Sequence, residues 1–545
     1  MTVYFTETNG SDYTPGDEQT DQQYLPPIPQ AILDRHGAQV LDTTMVVVDP
    51  DEEPPRPTIY RSARLLMPDR ALARLDGLNQ VLGKIGLEII RPRGEGLDGV
   101  PRPVALAIRP DWAGLATLDA AVALRCLRVS PPPPESGPSE STADRDSDWR
   151  SIVRSITLEH LLFGMESYLG TPGAYGPSGL SVTPGGGSWD VGRIPVVWSG
   201  TAPYRGWYKG RRPVVAVLDS GIAEHPWLDV SPSGTQPDGF IAVDQAIQQA
   251  IRQNRLDLIA SGLADTERQV INDEWDRPVV SETLADRVDT HIGHGTFIAG
   301  LVRQIAPEAQ VLAIRVMHGD GVVYEGDLLV ALNGILERVK AAHRGDKEKH
   351  VDVVSLSLGH YPSGLGDAPI TNVIDQLLDE GVVVCAAAGN DSTTRPFLPA
   401  ALAARPPSGS GQQVISVGAL NPNQTKALFS NDSYSWVRCW APGAALVSTF
   451  PLQIQGIATA AFGRPAWSSP PLPRRRETQD LDDFSSGFAI WSGTSFAAPQ
   501  VAAAAAAVMI EQCPGRLEMP DLAKIDQAST RARAVAAIEA VKNAG

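Results

Sequence analysis

The sequence predicts an α/β protein with a doubly wound, mostly parallel sheet and helices on both faces, preceded by a small α+β domain. The main evidence begins at residue 213, where continuous apolar runs alternate with amphipathic segments. Continuous rather than alternating runs are typical of strands that are buried on both faces. Amphipathic segments such as 328–342 then supply the helices that cover such a sheet. The runs cover residues 214–218, 311–317, 351–358, 382–388 and 414–418.

Composition limits the classes of partner. The 545 residues include 46 basic and 63 acidic side chains, which gives a net charge of −17. A chain this acidic lacks the basic footprint that nucleic acids and anionic membranes require, so neither is expected as a partner. Its 4 cysteines are too few and too scattered for a disulfide framework. This favours a reducing compartment, and the alternative is that the four cysteines form two disulfide bridges.

The first residues give no targeting signal. Residues 1–17 carry acids and lack the basic and apolar regions of a signal peptide. No run approaches the ~18 consecutive apolar residues that a membrane-spanning helix needs. We therefore expect a cytoplasmic protein without a membrane segment, and export by another route stays open.

The region before the α/β domain divides by composition. Residues 1–57 are polar, acidic and proline-bearing, and we expect them to be flexible. Residues 58–129 carry the pattern of a compact unit with the order β-α-β-β-α-β, which is that of a ferredoxin-like domain. Its strands are predicted at 58–67, 87–91, 104–109 and 122–129, and its helices at 72–85 and 112–121.

The remaining boundaries follow from the distribution of proline, serine and glycine. Residues 130–148 form a linker rich in proline and serine, and residues 149–212 are a lead-in segment without an assigned function. The α/β domain spans 213–513, and residues 514–545 are a C-terminal helical segment. Two insertions interrupt the α/β domain, near 229–288 and 451–488. Such insertions are usually solvated excursions, and a lid or a docking surface is the alternative.

Four polar residues stand where predicted strands end or helices begin. Asp219 follows the first apolar run, and Asn390 follows the run at 382–388. His294 and Ser495 each open a segment with a helical pattern. Functional groups of doubly wound sheets gather at the carboxyl ends of the strands. Taken singly, each residue has an ordinary explanation: serine as a helix cap, Asp or Asn in a turn, and histidine as a polar residue.

Taken together, the four residues point to a family. They occur in the motifs AVLDSGI, GHGTFIAG, AAAGNDS and SGTSFAAPQVA, with the chain order Asp, His, Ser. That order is the one found in subtilisin, and it differs from the orders in chymotrypsin and in the α/β-hydrolases. Residues 213–513 therefore resemble the subtilisin-like serine proteases. The resemblance implies a serine endopeptidase that acts on protein or peptide substrates.

The resemblance also implies a role for each motif residue. Ser495 would attack a peptide carbonyl, His294 would accept and return its proton, and Asp219 would orient the imidazole. Asn390 and the backbone N–H of Ser495 would bind the oxyanion. Two backbone stretches would form the substrate walls, and an extended substrate would pair with the first of them as an added strand. The wall residues are Leu356, Ser357, Leu358 and Gly359 on one side and Gly389 on the other.

No cofactor or metal is expected, with a calcium ion as the alternative. In the family, a loop after the helix of the histidine often holds calcium, but the stretch between Gly300 and Ala306 is too short for that loop. No Asp-rich loop elsewhere in the sequence compels calcium binding. His291 and His294 have the spacing of a metal-binding pair on a helix, yet no carboxylate motif accompanies them.

The resemblance also implies a role for the small unit at 58–129. Precursors in the family often carry a ferredoxin-like propeptide that blocks the cleft. We therefore expect this unit to be an intramolecular inhibitor, with cleavage in or near 130–148 relieving the inhibition. A docking domain is the alternative for this unit. For the α/β domain, the alternatives are a catalytically silent scaffold and a protease with one dedicated target.

Overall fold

The computed structural model describes most of the chain. The described residues are 3–5, 25–43, 55–94, 96–133, 142–164, 193–206, 210–231, 234–235, 239–260, 269–277, 280–282, 287–364, 369–407, 409–454, 463–465, 475–477, 483–510 and 521–544. The helices, numbered in chain order, are α1 (Gln30–His36), α2 (Asp69–Leu72), α3 (Leu75–Leu82), α4 (Ala120–Val129), α5 (Thr142–Arg154), α6 (Gln245–Ala260), α7 (His294–Ile305), α8 (Glu325–His343), α9 (Pro369–Asp379), α10 (Thr494–Ile510) and α11 (Gln527–Ala544).

Strands are numbered in the same way. The first twelve are β1 (Tyr4–Phe5), β2 (Ala38–Val40), β3 (Ile59–Met67), β4 (Leu87–Ile89), β5 (Arg102–Ile108), β6 (Thr157–Gly164), β7 (Arg193–Pro195), β8 (Val214–Asp219), β9 (Val230–Ser231), β10 (Gly234–Thr235), β11 (Ile241–Val243) and β12 (Val280–Glu282). The others are β13 (Arg287–Val288), β14 (Gln310–Arg315), β15 (Val322–Tyr324), β16 (Val353–Leu356), β17 (Leu358–Gly359), β18 (Val383–Ala387), β19 (Ile415–Leu420), β20 (Cys439–Pro442), β21 (Leu446–Thr449), β22 (Gly463–Pro465), β23 (Arg475–Glu477) and β24 (Phe488–Trp491).

An eight-stranded sheet forms the centre of the larger domain. Its strand order is β1-β20-β19-β18-β16-β8-β14-β11. Every neighbouring pair is parallel except for β1, which runs antiparallel to β20. The predicted doubly wound, mostly parallel sheet is confirmed, and the apolar runs supply β8, β14, β16, β18 and β19.

Different helices cover the two faces of this sheet. Along β8, Val215 and Val217 pack with α7, α10 and α11, whereas Ala216 and Leu218 pack with α6, α8 and α9. The two sets alternate because successive side chains of a strand point to opposite faces. None of these four side chains is more than 4% exposed. Burial on both sides explains why the run is apolar throughout rather than alternating.

A second sheet begins in the N-terminal unit. Strands β6, β3, β5 and β4 lie side by side in that order, and each pair is antiparallel. Helices α3, α4 and α5 cover one face of this sheet and form a separate apolar core with it. The sheet extends into the larger domain, because both β15 and β17 pair with β6.

Two predicted elements of this unit are wrong. Residues 122–129 belong to helix α4 rather than to a strand, and residues 111–119 form no regular helix. Asp119 caps α4 by accepting hydrogen bonds from the backbone N–H groups of Ala121 and Val122. A short apolar run fits a strand or a helix equally well, and here the cap and the packing partner decide. The buried face of α4 consists of Ala120, Ala123, Leu124 and Leu127.

The fourth strand of the unit is β6, which lies beyond the predicted linker. Helix α5 starts at Thr142, so the linker predicted at 130–148 ends inside a helix. The predicted lead-in at 149–212 contains the end of α5 together with β6 and β7. The boundary placed at residue 129 is therefore wrong. Because β6 pairs with β3, which is distant in sequence, local periodicity gives no sign that β6 belongs to this unit.

Part of the N-terminal segment predicted to be flexible has regular structure. Strand β2 pairs with β3, and β1 pairs with β20 at the edge of the large sheet. Leu33 of α1 packs with Val322 and Tyr324 of the larger domain. The prediction rested on composition, which misses short elements that are stabilised by packing onto other parts of a protein. Within 1–57, the structure describes residues 3–5, 25–43 and 55–57.

The two predicted insertions differ in how much of them is described. The first, at 229–288, contains α6, which packs against α8 through Ile247 and Ile251. Most of the second, at 451–488, lies outside the described residues, although β22 and β23 form an antiparallel pair within it. The predicted C-terminal segment contains α11, which packs against α10. Among the described helices, none combines the length and apolar character needed to cross a bilayer.

A buried ion pair ties the start of the large sheet to the C-terminal helix. Both guanidinium nitrogens of Arg211 donate to the Asp352 carboxylate at 2.6 Å, and Arg533 of α11 lies 3.4 Å away. Asp352 also accepts a hydrogen bond from the backbone N–H of Val214 at 2.9 Å. The Asp352 side chain is 1% exposed.

We predict that Asp352→Asn lowers the free energy of unfolding by about 3–5 kcal/mol, because it leaves buried arginines without their counter-charge. The control is Asp375→Asn, whose pair with Arg405 at 2.9 Å is between 39% and 48% exposed. Loss of an exposed pair should cost less than about 1 kcal/mol. Urea denaturation of the three proteins measures the effect. Equal midpoints for Asp352→Asn and the control would contradict the prediction.

Candidate active site

Asp219 and His294 form a buried pair at the carboxyl edge of the large sheet. Asp219 is the last residue of β8, and His294 is the first residue of α7. Oδ1 of Asp219 lies 2.7 Å from Nδ1 of His294, and both side chains are at most 2% exposed. The same oxygen accepts the backbone N–H of Ser220 at 2.7 Å. The carboxylate therefore fixes which ring nitrogen of His294 carries a proton toward it.

Glycines allow His294 to come this close. Gly293, which precedes it, has a φ of 85°, a conformation that other residues rarely adopt. A Cβ on Gly295 would lie 2.3 Å from the carbonyl oxygen of Gly221 in the Asp219 motif. The glycines on either side of His294 are therefore required because the backbone there adopts a positive φ and approaches the Asp219 motif closely.

A second buried carboxylate, Asp276, holds the backbone around His294. Its Oδ2 accepts the N–H of Gly293 at 2.7 Å and the hydroxyl of Ser220 at 2.9 Å. The Ser220 hydroxyl in turn accepts the N–H of Gly295 at 3.0 Å. Both amides next to His294 are therefore anchored through one carboxylate. Sequence analysis missed Asp276, because it lies within the first insertion and no local pattern marks it.

Ser495 lies in the first turn of α10 and is fully buried. Its Oγ donates to the carbonyl oxygen of Ser357 at 3.3 Å, and the Ser357 hydroxyl donates to the carbonyl oxygen of Ser495 at 2.7 Å. The ring of Phe496, the next residue, lies 5.0 Å from the His294 ring between centroids. The starts of α7 and α10 thus meet, where unpaired backbone N–H groups favour negative charge. Nε2 of His294 has no hydrogen-bond partner among the described residues.

Asn390 follows β18 and is held by the residue before the serine. Its Oδ1 accepts the backbone N–H and the hydroxyl of Thr494, both at 2.9 Å. A backbone N–H can bond only to the oxygen of the amide, so this contact settles the orientation of the group. The amide nitrogen of Asn390 therefore points away from Thr494. Thr494 was not singled out by sequence analysis, although it lies inside the serine motif.

The predicted substrate wall is occupied by the chain's own strand β6. Gly359 pairs with Phe163, and Leu358 pairs with Gly164, in antiparallel register. On the other side, β15 pairs antiparallel with residues 161–163 of β6, and the N–H of Gly164 donates to the carbonyl oxygen of Gly321 at 2.7 Å. Residues 161–164 thus lie as a central strand between two edges of the larger domain.

The other wall residues lie around the serine. Leu356 ends β16 and is fully buried, and Ser357 makes the two hydrogen bonds to Ser495 given above. Gly389 has a φ of 105°, and its N–H donates to the Thr494 hydroxyl at 3.1 Å. The structure therefore brings Ser357, Gly389 and Asn390 into contact with the start of α10.

His291 and His294, the two histidines with the spacing of a metal-binding pair, lie close together. The rings of His291 and His294 are 5.5 Å apart between centroids. Within the part of the chain that the structure describes, no group of three or more His, Cys, Asp or Glu residues could hold a metal ion. Burial lowers the pKa of His291 to about 3, with the neighbouring His294 contributing, so this ring is neutral at physiological pH.

Comparison with known proteins places this chain in a family. The model of the Subtilase family matches residues 210–524, which is more than half of the chain. The chain therefore belongs to the subtilase family. Residues 1–209, including the N-terminal unit, lie outside the match.

Curated relatives align with part of the chain. Thermitase from Thermoactinomyces vulgaris is 32% identical over 169 residues, which cover 29% of this chain and 52% of thermitase. Subtilisin E from Bacillus subtilis (strain 168) is 29% identical over 167 residues, or 29% of this chain and 39% of subtilisin E. The chain thus spans about half or less of the length of these relatives. A solved structure titled "Crystal Structure of a Lanthipeptide Protease" overlaps with 55% of this chain and 72% of its own, at 20% identity and a TM-score of 0.33.

The surroundings of Asp276 generate a prediction about pH. Burial raises the pKa of Asp276 to about 6 from an ordinary value of 3.8. Because the folded state binds this proton more tightly, the stabilisation is complete below about pH 4 and is lost as the pH rises through 6. The loss amounts to about 3 kcal/mol, at roughly 1.4 kcal/mol for each pKa unit.

Asp276→Asn should remove this dependence while keeping an oxygen that can accept both hydrogen bonds. We expect the urea concentration at the unfolding midpoint of the wild type, relative to that of the variant, to decrease as the pH rises from 4 to 7. Urea titrations at four pH values measure the difference. A difference that is constant across this range would show that Asp276 does not titrate there.

Proposed function

We propose that this chain is a serine endopeptidase that cleaves peptide bonds through an acyl-enzyme. The observation that carries the proposal is the bond between Asp219 Oδ1 and His294 Nδ1 at 2.7 Å, which leaves His294 Nε2 without a partner among the described residues. The His294 ring also contacts the ring of Phe496, the residue after Ser495, at 5.0 Å between centroids. This arrangement leaves one ring nitrogen to take a proton from a hydroxyl. Membership of the subtilase family supports the same chemistry.

The steps follow from these positions. Ser495 Oγ attacks the peptide carbonyl carbon while its proton passes to His294 Nε2, and the Asp219 carboxylate stabilises the imidazolium. When the tetrahedral intermediate collapses, the C–N bond breaks and His294 gives the proton to the leaving amine. Water then hydrolyses the ester by the same route in reverse. The side chains act in a buried site, where their electrostatic effects are larger than in water.

Asn390 is assigned to the oxyanion. Its amide nitrogen is directed away from Thr494 by the two hydrogen bonds to Oδ1. Together with the backbone N–H of Ser495, it would donate to the oxygen that becomes negative. Loss of one such donor typically lowers kcat by about 10²–10³-fold, because the donor is oriented before the charge develops.

Ser495→Ala should abolish both the hydrolysis of casein-derived peptides and the covalent adduct with a fluorophosphonate probe, because no other group holds the nucleophilic position. The exposed Ser485→Ala is the matched control and should keep both signals. Intact-mass spectrometry detects the adduct and chromatography the hydrolysis. An adduct that persists in Ser495→Ala would contradict the assignment. A wild type that shows neither adduct nor hydrolysis, both before and after proteolytic nicking, would favour a catalytically silent scaffold.

We further propose that the N-terminal unit is an intramolecular inhibitor. Extended substrates bind proteases by adding a strand to an exposed edge, and β6 uses the two edges available at β15 and β17. Pairing beyond Gly164 by one more residue would reach Ser357, whose carbonyl oxygen lies 3.3 Å from Ser495 Oγ. The strand therefore runs toward the nucleophile in the position of a substrate.

Contacts away from the cleft support this docking. Leu66 and Leu162 are fully buried and belong to the apolar core that includes α8 and α9. Glu159 of β6 lies 3.6 Å from Arg255 of α6, which pairs with Asp327 of α8 at 3.0 Å. These contacts join the unit to the first insertion as well as to the cleft.

The position of β6 also bears on where the chain is cut. A cut within 130–148 would leave β6 attached to the larger domain and still in the cleft. We therefore place the activating cut after Gly164, within 165–192, instead of in the linker. The fragment that carries β6 could then dissociate.

Intact-mass measurement should show a cut within 165–192 in the wild type and none in Ser495→Ala. We also expect Leu162→Ala to raise peptide hydrolysis by the freshly purified chain by roughly tenfold or more, since loss of a buried leucine side chain weakens docking by about 2–5 kcal/mol. The control is Val129→Ala, which lies on α4 of the same unit and is 64% exposed. A new N-terminus within 131–149, or unchanged hydrolysis with Leu162→Ala, would contradict this part of the proposal.

A further inference from the structure

The register of β6 identifies one position of a bound strand with respect to the nucleophile. Gly164 faces Leu358, so the following residue of any strand in this register faces Ser357. The Ser357 carbonyl oxygen and Ser495 Oγ are 3.3 Å apart. The carbonyl that Ser495 attacks then belongs to that following residue. Gly164 accordingly occupies the position of the second residue before the bond to be cut.

The space around Gly164 excludes a side chain. A Cβ at Gly164 would lie 2.7 Å from Cδ2 of His291, 2.7 Å from Cε of Met317 and 2.8 Å from its Sδ. Non-bonded carbon atoms prefer separations of about 3.5–4.0 Å, so even alanine overlaps with both side chains. The overlap concerns the first atom of a side chain, so every residue except glycine meets it.

The two neighbours differ in how far they can give way. Met317 presents the end of a flexible thioether chain, which adapts by rotating. His291 is held in place: the residue is 5% exposed, and Nδ1 of its ring lies 2.9 Å from the Thr290 hydroxyl. Its backbone N–H donates to the carbonyl oxygen of Gly319 at 2.7 Å.

The far side of the His291 ring is closed as well. A Cβ on Gly321 would lie 2.4 Å from Cε1 and Nδ1 of His291. The ring is therefore packed between the backbones of Gly321 and Gly164. It cannot retreat from a substrate side chain without moving the loop that leads into β15.

We propose that His291, with Met317, makes this site selective for peptides that have glycine as the second residue before the cleaved bond. This inference rests on the proposed peptidase function and specifies its substrate class. His291 is then a specificity-determining residue and takes no part in proton transfer, which belongs to His294. The chain's own Gly164 fits the same requirement. Strand β6 and the proposed substrates thus both have glycine at this position.

Peptide pairs test the proposal directly. Peptides that differ only in Gly, Ala or Val at the second residue before the bond are incubated with the processed wild type and with His291→Gly. We expect the wild type to show kcat/KM for glycine roughly tenfold or more above that for alanine, in the range that steric exclusion in a pocket produces. In His291→Gly the ratio should fall close to one. His343→Ala, at a histidine on α8 outside the cleft, is the control and should keep the wild-type ratio.

A second measurement in the full chain separates a steric contact from misfolding. Gly164→Ala should slow self-cleavage by roughly tenfold, and the double variant Gly164→Ala/His291→Gly should restore the rate, because the removed ring makes room for the methyl group. Equal kcat/KM for glycine and alanine in a wild type that forms the fluorophosphonate adduct would overturn the inference and leave the peptidase function standing. Absence of rescue in the double variant would also overturn it. A wild type that forms no adduct would overturn both.

Discussion

Backbone pairing of β6 with β15 on one edge and β17 on the other joins the two parts of the chain into one sheet. Unpaired sheet edges bind any extended segment, and a buried edge left without partners would be costly. The strand satisfies both edges at once and brings Gly164 against Leu358. The inhibitory role proposed for the N-terminal unit and the glycine preference proposed for the cleft both depend on this register.

The contacts behind β6 show how the register is selected. Arg255, Glu159 and Asp327 are all buried, and a buried ion pair contributes little net stability because desolvation offsets the attraction. A shifted strand, however, would leave such charges without partners, which costs several kcal/mol. Leu162 contributes differently, since burying a leucine side chain is worth about 1.5–3 kcal/mol. Apolar burial thus provides the attraction, and the charges specify the alignment.

The surroundings of His294 show a similar division of labour. Asp219 contacts the ring, whereas Asp276 contacts only the backbone amides on either side of it, one directly and one through Ser220. Asp276 is therefore a positioning residue. His291 lies one turn away, and the ring lies against Gly164 in the cleft. The two neighbouring histidines thus have different roles, which their spacing alone does not reveal.

The sequence by itself determined the parallel sheet and the position of each motif residue. Apolar runs that alternate with amphipathic segments are typical of strands buried on both faces. Asp219 and Asn390 follow such runs, and His294 and Ser495 open helical segments. These features are local, and local features survive in a one-dimensional pattern. The same patterns failed at residues 122–129, where a short apolar run fits two kinds of structure and the Asp119 cap decides between them.

Only the tertiary structure shows that strand β6 of the same chain lies in the cleft. Strand β6 pairs with segments that lie far from it in sequence, so no periodicity connects Gly164 with Leu358 or with His291. Likewise, no local pattern connects Asp276, which lies within the first insertion, with Gly293. Contacts between distant segments depend on how complete elements pack, and the identities of the residues become informative only after that packing is known.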